Sequence, residues 1–413
     1  MTSLAVFVLL FFIYSLASRR MERTIVTAPI VFTVAGMLMA LASPAILGAG
    51  VKLDFFLHLA EIGLVLLLYS DASRTNLSAL SSIRYLPVRL LTTGMLLTIL
   101  FGAIAARLVF PHISIWEAGI LAAILAPTDA GLGQVIVSSP RVPTKIRQAL
   151  NVEAGLNDGL SVPFLLFFIA LAAAGTEGHN ASLKQFIVEQ LGFGALVGVG
   201  IGLIGGWLLG LAYRKEWMAE SFQQVAVMTL PLLCLVLSEI IGASMFIAAF
   251  VAGLTVQIGF KETSRHSLEF SEELGQILNL SVFFLFGLFV FRDWRQFDLA
   301  SVLYAALSLT VVRMLPVAFA LIGAGLSRPT VLFMGWFGPR GLASIVLGTV
   351  YLEREMHLSG EPTIRVAVMM TVLLSIFAHG LSAVPGIALY ARKNASFEPV
   401  TPEQQVLGPK EVN

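Results

Sequence analysis

The stretch NVEAGLNDGLSVPFLLFF, Asn151 to Phe168, sets Glu153, Asn157 and Asp158 at the head of a run of aliphatic and aromatic residues. On a helix, Glu153 and Asn157 stand at i and i+4 on one face with Asp158 next round, while Gly155 and Gly159 thin the helix for a close neighbour. Upstream, ILAPTDAGLGQV adds Thr128 and Asp129 beside Pro127. Carboxylate, amide and hydroxyl oxygens without inward His or Cys sets suit a hard cation such as Na⁺ and argue against Zn²⁺ or Cu. A carboxylate removed from water also holds its proton more tightly. One group of oxygens can therefore hold either a proton or a metal ion.

The elements that must position these groups are oily. Of 413 residues, 57% are hydrophobic and only 12% charged, and the mean hydropathy of +0.88 describes a polytopic membrane protein. A net charge of +1, from 26 basic and 25 acidic residues, leaves no field to steer a nucleic acid. The lone cysteine, Cys234, permits no internal disulfide and reads as a small core residue. Arg19, Arg20 and Arg23 follow the first apolar run without a small-residue cleavage site, so that run is expected to stay as a helix.

Against the ~20 residues needed to cross a bilayer, the apolar runs predict thirteen spans. They cover 2-18, 26-47, 55-70, 86-110, 114-138, 146-173, 186-212, 221-241, 243-259, 272-291, 298-325, 330-351 and 363-390. One set of alternate loops holds Arg19/Arg20/Arg23, Arg74/Arg84, Arg141/Lys145/Arg147, Arg214/Lys215, Lys261/Arg265, Arg328 and Arg392/Lys393. The other holds only Lys52, Lys184, Arg292/Arg295 and Arg354, so the first set is read as cytoplasmic, with the N-terminus outside and the C-terminus inside.

Two spans carry Gly/Pro interruptions, the fifth at Pro127 and the twelfth in GWFGPRGLASIV around Pro339. They lie seven spans apart, which reverses orientation between copies. Spans 1-6 and 8-13 then form inverted repeats, approximately 1-173 and 221-392, joined by a linker helix at 186-212. Residues 1-392 make one transmembrane domain and 393-413 a short cytoplasmic tail. Each interruption carries a charge, Asp129 or Arg340. An ionisable side chain at mid-bilayer costs about 2.5–3.5 kcal/mol on the gentlest scale, which marks these positions as functional. Competition between proton and cation at such a site suffices for exchange if it faces one side of the membrane at a time.

EAGLNDGLSVPF, preceded by APTDA and followed by SEIIGASMFIAAFVAGL at 238-254 and GWFGPRGLASIV at 335-346, resembles the monovalent cation:proton antiporter family that includes NhaP-like and animal Na⁺/H⁺ exchangers. EIGLVLLLYSDASRTNL at 61-77 fits that family's third helix, and the resemblance runs over about residues 4-392. It implies the Na⁺/H⁺ antiporter fold, all-α, with a core domain, a dimerisation domain, elevator-type alternating access and a homodimer. Asp158 would carry proton and cation in turn, with Thr128, Asp129 and Asn157 beside it and Asp71 as an outer ligand or gate. Asn-Asp members exchange one cation for one proton electroneutrally.

Arg313, in LTVVRMLPVAF, needs a partner if buried in span 11. The resemblance suggests Glu153 as that partner in a structural ion pair, with Arg340 as the alternative to Arg313. Glu61 and Glu239 near helix ends, and His58 and His379 as pH sensors, are weaker candidates. His112, His179, His266 and His357 fall in expected loops, and the sequon at Asn180 is short enough to be chance.

The expected function is exchange of Na⁺ or Li⁺ for protons, with K⁺/H⁺ exchange as the near variant and a sodium-coupled organic-anion symporter as the rival. No resident cofactor is expected; the cargo is the cation and the proton. Enzyme motifs such as His-Glu-x-x-His are lacking, and two interrupted helices do not make the repeated filter of a channel. No nucleotide-binding gate is expected in the polar tail, and a bacterial inner membrane is the expected location.

Overall fold

A bilayer offers the backbone no water to bond, so each apolar run must satisfy its own peptide groups as helix. The computed structural model describes residues 2–21, 24–42, 53–74, 85–177, 188–260, 265–353 and 358–395, and nearly all of them are helical. In chain order these helices are α1 (Thr2–Met21), α2 (Ala28–Ala42), α3 (Leu53–Arg74), α4 (Tyr85–Arg89) and α5 (Met95–Val109). They continue as α6 (Ile115–Ile124), α7 (Ala130–Val137), α8 (Thr144–Glu177), α9 (Gly194–Arg214), α10 (Glu220–Ile241), α11 (Met245–Gly259) and α12 (Arg265–Asp293). The last five are α13 (Leu299–Leu309), α14 (Val311–Ala320), α15 (Arg328–Trp336), α16 (Leu342–Glu353) and α17 (Glu361–Ala395).

Among the described residues seven helical stretches are long and apolar enough to cross a membrane by themselves, the longest being Thr144–Ala173 and Glu361–Lys393. The interruptions expected from Pro127 and Pro339 are present. α6 and α7 are the halves of one broken span, and α15 and α16 the halves of another. The run read as one span over 298-325 is present as a single stretch, Leu299–Ala320, distorted at Thr310, whose φ −109° and ψ −90° divide α13 from α14. Span 4 is distorted too, passing through a π-helical turn at Leu90–Gly94 between α4 and α5. Irregularity thus falls in spans 4, 5, 11 and 12. Lys52, Arg23, Arg84, Lys184, Lys261 and Arg354, with His179, His357, Asn180 and residues 396–413, lie outside the described residues.

The helices sort into two bundles by what they pack against. α2, α3, α9, α10, α11 and α12 pack on one another. So do α5, α6, α7, α8, α13, α14, α15, α16 and α17. Contacts between the bundles run mainly through α8 and α16 against α3, and α8 against α11. In the first bundle α2 and α12 cross backbone to backbone. Gly36 sits against the Phe284 carbonyl and Gly287 against the Thr33 carbonyl, each without space for a Cβ. The outward faces carry apolar side chains such as Leu9, Leu108, Ile204, Ile240 and Leu299, as a lipid solvent requires.

Candidate functional site

The two broken helices meet at their breaks, in the second bundle. Pro127 and Pro339 each remove a backbone donor, and the non-helical links Leu125–Asp129 and Phe337–Gly341 leave helix-end groups unsatisfied. These groups are satisfied across the crossing. The Asp129 amide donates to the Pro339 carbonyl at 2.8 Å. Asp129 Oδ1 accepts from the Leu132 amide at 2.9 Å, capping α7, while Oδ2 accepts from the Leu342 amide at 2.6 Å, capping α16. One carboxylate therefore faces the positive ends of two half-helices. In return Arg340, 0% exposed, donates through Nη1 to the carbonyls of Ala126 and Pro127 at 2.7 and 2.9 Å, the negative end of α6. The Arg340 amide donates to Ser375 Oγ on α17 at 2.6 Å. A Cβ at residue 341 would run into the Asp129 carboxylate, which explains Gly341 at that point.

α8 runs past this crossing and brings the remaining candidates. Arg313 Nη1 on α14 forms an ion pair with Glu153 Oε1 at 2.6 Å, both side chains being 3% exposed. Arg340, the other arginine considered for Glu153, is occupied with the α6 carbonyls instead. Asn157 Nδ2 donates to Thr128 Oγ1 at 2.7 Å, tying α8 to the first break. Asp158 is buried and within electrostatic range of Asp129, Asp71 and Arg340. Asp71 comes from α3 in the other bundle, and its side chain packs on the bare backbone of Gly155: a Cβ there would stand 3.3 Å from the Asp71 Cβ.

Two acceptors in this group have no protein partner. Asn157 Oδ1 and Asp158 Oδ1, on successive residues, are both fully buried and accept no hydrogen bond. Such atoms are rare, because each costs about 1–3 kcal/mol. Asp129, expected at the cation beside Asp158, spends both carboxylate oxygens on backbone amides. Among the described residues no three His, Cys, Asp or Glu side chains converge as a metal cluster. The arrangement suits weak, transient coordination of a monovalent ion better than a resident divalent one.

Asp158 lies between two cavities. One of about 20 Å³ touches Thr128, Asp129, Leu150, Glu153 and Pro339. The other, about 260 Å³, is lined by Glu61, Val162, Leu166, Ser244, Phe246 and Val350. Leu150 and Glu153 precede Asp158 on α8 and Val162 and Leu166 follow it, so the cavities approach from opposite directions along that helix. Glu61 thus borders the larger space. Glu239 is exposed in the last turn of α10, and His58 is exposed. His379 is buried, with Nδ1 3.0 Å from Ser375 Oγ and its ring 5.1 Å from that of Trp336. Sequence reasoning missed Ser375, which holds the Arg340 backbone. A serine in an apolar helix gives no signal until its neighbour is known.

The sodium/hydrogen exchanger, transmembrane, family profile matches residues 6–388. A Na⁺/H⁺ antiporter of Schizosaccharomyces pombe is 26% identical over 312 residues, covering 67% of this chain and 65% of that protein. A K⁺/H⁺ antiporter, NhaP2, of Shewanella oneidensis is 26% identical over 295 residues, covering 70% of this chain and 50% of its own. The chain thus spans half to two-thirds of the length of these relatives. Among solved structures, the sodium proton antiporter MjNhaP1 of Methanocaldococcus jannaschii superposes with a TM-score of 0.72 at 20% identity, over 92% of this chain and 99% of that one. With the crossing, the bundles and the match over nearly all of its length in agreement, the chain belongs to the sodium/hydrogen exchanger family of integral membrane proteins.

Proposed function

We propose that the chain is a secondary active antiporter that exchanges a monovalent cation, Na⁺ or Li⁺, for a proton, with Asp158 holding each in turn. The observation that carries this reading is the pair of buried, unpartnered oxygens at Asn157 and Asp158. They sit beside a frame whose other charges are already engaged. Glu153 is balanced by Arg313, and Asp129 by two helix N-termini. Asp158 is the carboxylate left for the cargo. A bare cation entering there gains Asp158, the Asn157 carbonyl oxygen and the Thr128 hydroxyl oxygen; a proton binds the same carboxylate and excludes it. Alternation follows if the second bundle moves against the first and connects the site to one cavity and then the other, elevator-fashion. Asp71, on the opposite bundle, would meet the cation at one end of that travel. The resemblance to NhaP2 supports K⁺ as the variant cargo, and the names borne by the relatives support exchange over symport. The proposal keeps the N-terminus outside and the C-terminus inside.

The test is proton flux in proteoliposomes with an internal pH dye, on addition of Na⁺, Li⁺, K⁺ or choline. The expected result is proton movement driven by Na⁺ but not by choline and abolished by Asp158→Asn. Absence of movement with every alkali cation would overturn the reading.

A further inference from the structure

A second buried acceptor belongs to none of the groups placed above. Asn279 lies on α12 in the apolar run ILNLSVFF, and its Oδ1 is fully buried with no hydrogen-bond partner. Its amide nitrogen points to the first turn of α7. A Cβ built on Gly131 would stand 3.0 Å from Asp129 Oδ1 and 3.2 Å from Asn279 Nδ2, so glycine, carboxylate and amide border one small space. Gly131 is itself exposed, and so are Gln134 one turn along α7 and Gln276 one turn before Asn279. Three exposed small or polar residues therefore lie on either side of the point where Asn279 approaches Gly131. The amide also comes from the other bundle, since α12 packs chiefly on α2 and α3. Polar side chains in a membrane helix are costly and face functional paths, and an acceptor with no protein donor is completed by something that is not protein.

We propose that Asn279 is a further cation-contacting residue, whose amide oxygen, brought by a turn of the side chain into the space beside Gly131 that Nδ2 now borders, receives the ion before it reaches Asn157 and Asp158, and so sets affinity and ranking among Na⁺, Li⁺ and K⁺. This rests on the exchange reading above. An amide is the suitable group at that place. It replaces one water of the hydration shell without adding charge, so it lowers the cost of dehydration without trapping the ion. Contributed by the bundle that α12 belongs to, it touches the ion at one stage of the cycle only.

The experiment measures cation-driven proton flux against cation concentration in proteoliposomes of the wild type, Asn279→Ala, Asn279→Ser and Asn279→Asp. Asn279→Ala should raise the KM for Na⁺ about tenfold, the loss expected of one charge-assisted contact, with a smaller change in maximal rate. Asn279→Asp, which keeps an oxygen in place, should return the KM to within about threefold of wild type, and the ratio of KM values for Na⁺ and K⁺ should change in Asn279→Ala. Should Asn279→Ala fail to fold, as seen by size exclusion, Asn279→Ser is read in its place. Unchanged KM and ranking in an exchanging, folded Asn279→Ala or Asn279→Ser protein would overturn the assignment and leave the exchange reading standing. Absence of flux in the wild type would instead bring down the exchange reading.

Discussion

At the scale of the residue, Asp129 and Asp158 look alike in the sequence and differ in the fold. Asp158→Asn removes a buried charge that has no protein donor on Oδ1, so the folded protein should melt at the same temperature or higher while cation-driven flux falls to background; retained flux would remove Asp158 as carrier. Asp129→Asn keeps one oxygen and sets an NH₂ donor against one of the two amides, Leu132 or Leu342, that need an acceptor. It should lower stability by about 1–3 kcal/mol as well as slow exchange, and a wild-type melting temperature would show that the capping is dispensable. Arg313→Ala leaves Glu153 buried and charged and should cost about 3–5 kcal/mol, whereas Glu153→Leu combined with Arg313→Leu should recover much of that loss. A double variant no better than Arg313→Ala would show that the pair does more than balance itself. The sequence made these residues visible because charge in an apolar run is conspicuous. It left two partners open to Glu153, because the choice depends on which guanidinium the fold spends on helix-end carbonyls, and Arg340 is spent on Ala126 and Pro127.

At the scale of the element, the breaks at Pro127 and Pro339 were legible because proline removes a donor that a membrane helix cannot replace from solvent. The division at Thr310 was not. Threonine propagates helix without obvious cost, and nothing local in SLTVVRML marks a stop. The crossing of the two breaks was likewise hidden, because its bonds join backbone groups some two hundred residues apart in the chain, as in the bond from the Asp129 amide to the Pro339 carbonyl. The glycines fall between these cases: their presence is plain and their partner is not. Gly287→Ala should lower the melting temperature in detergent, since its Cβ would overlap the Thr33 carbonyl and overpacking costs about 1–3 kcal/mol. Gly275→Ala on the same helix has open space around the new methyl and should hold or slightly raise it. Equal effects of the two would mean that the close crossing of α2 and α12 does not limit stability.

At the scale of the whole molecule, the proposed site makes a statement about charge. The buried ionisable groups around Asp158 each have an interaction within the protein: Glu153 with Arg313, Asp129 with two half-helix N-termini, and Arg340 through Nη1 with two carbonyls of α6. If Asp158 is the carrier proposed above, it crosses the membrane neutralised once, by a proton in one direction and by a monovalent cation in the other. Both half-cycles would then move the same net charge, and the proposal requires exchange to be one for one and insensitive to the membrane potential. A potential of 100 mV is worth about 2.3 kcal/mol per elementary charge moved, some fiftyfold in an equilibrium. With the potential clamped at zero or at 100 mV of either sign, Na⁺-driven proton flux should reach the same final pH difference. Competition at one carboxylate also requires the KM for Na⁺ to rise as the pH on the cation side falls, towards tenfold per unit where the proton dominates. A final pH difference that shifts with potential would mean that a second proton travels, and Asp71, reaching the site from the opposite bundle against Gly155, is the group whose substitution by Asn should then abolish the shift.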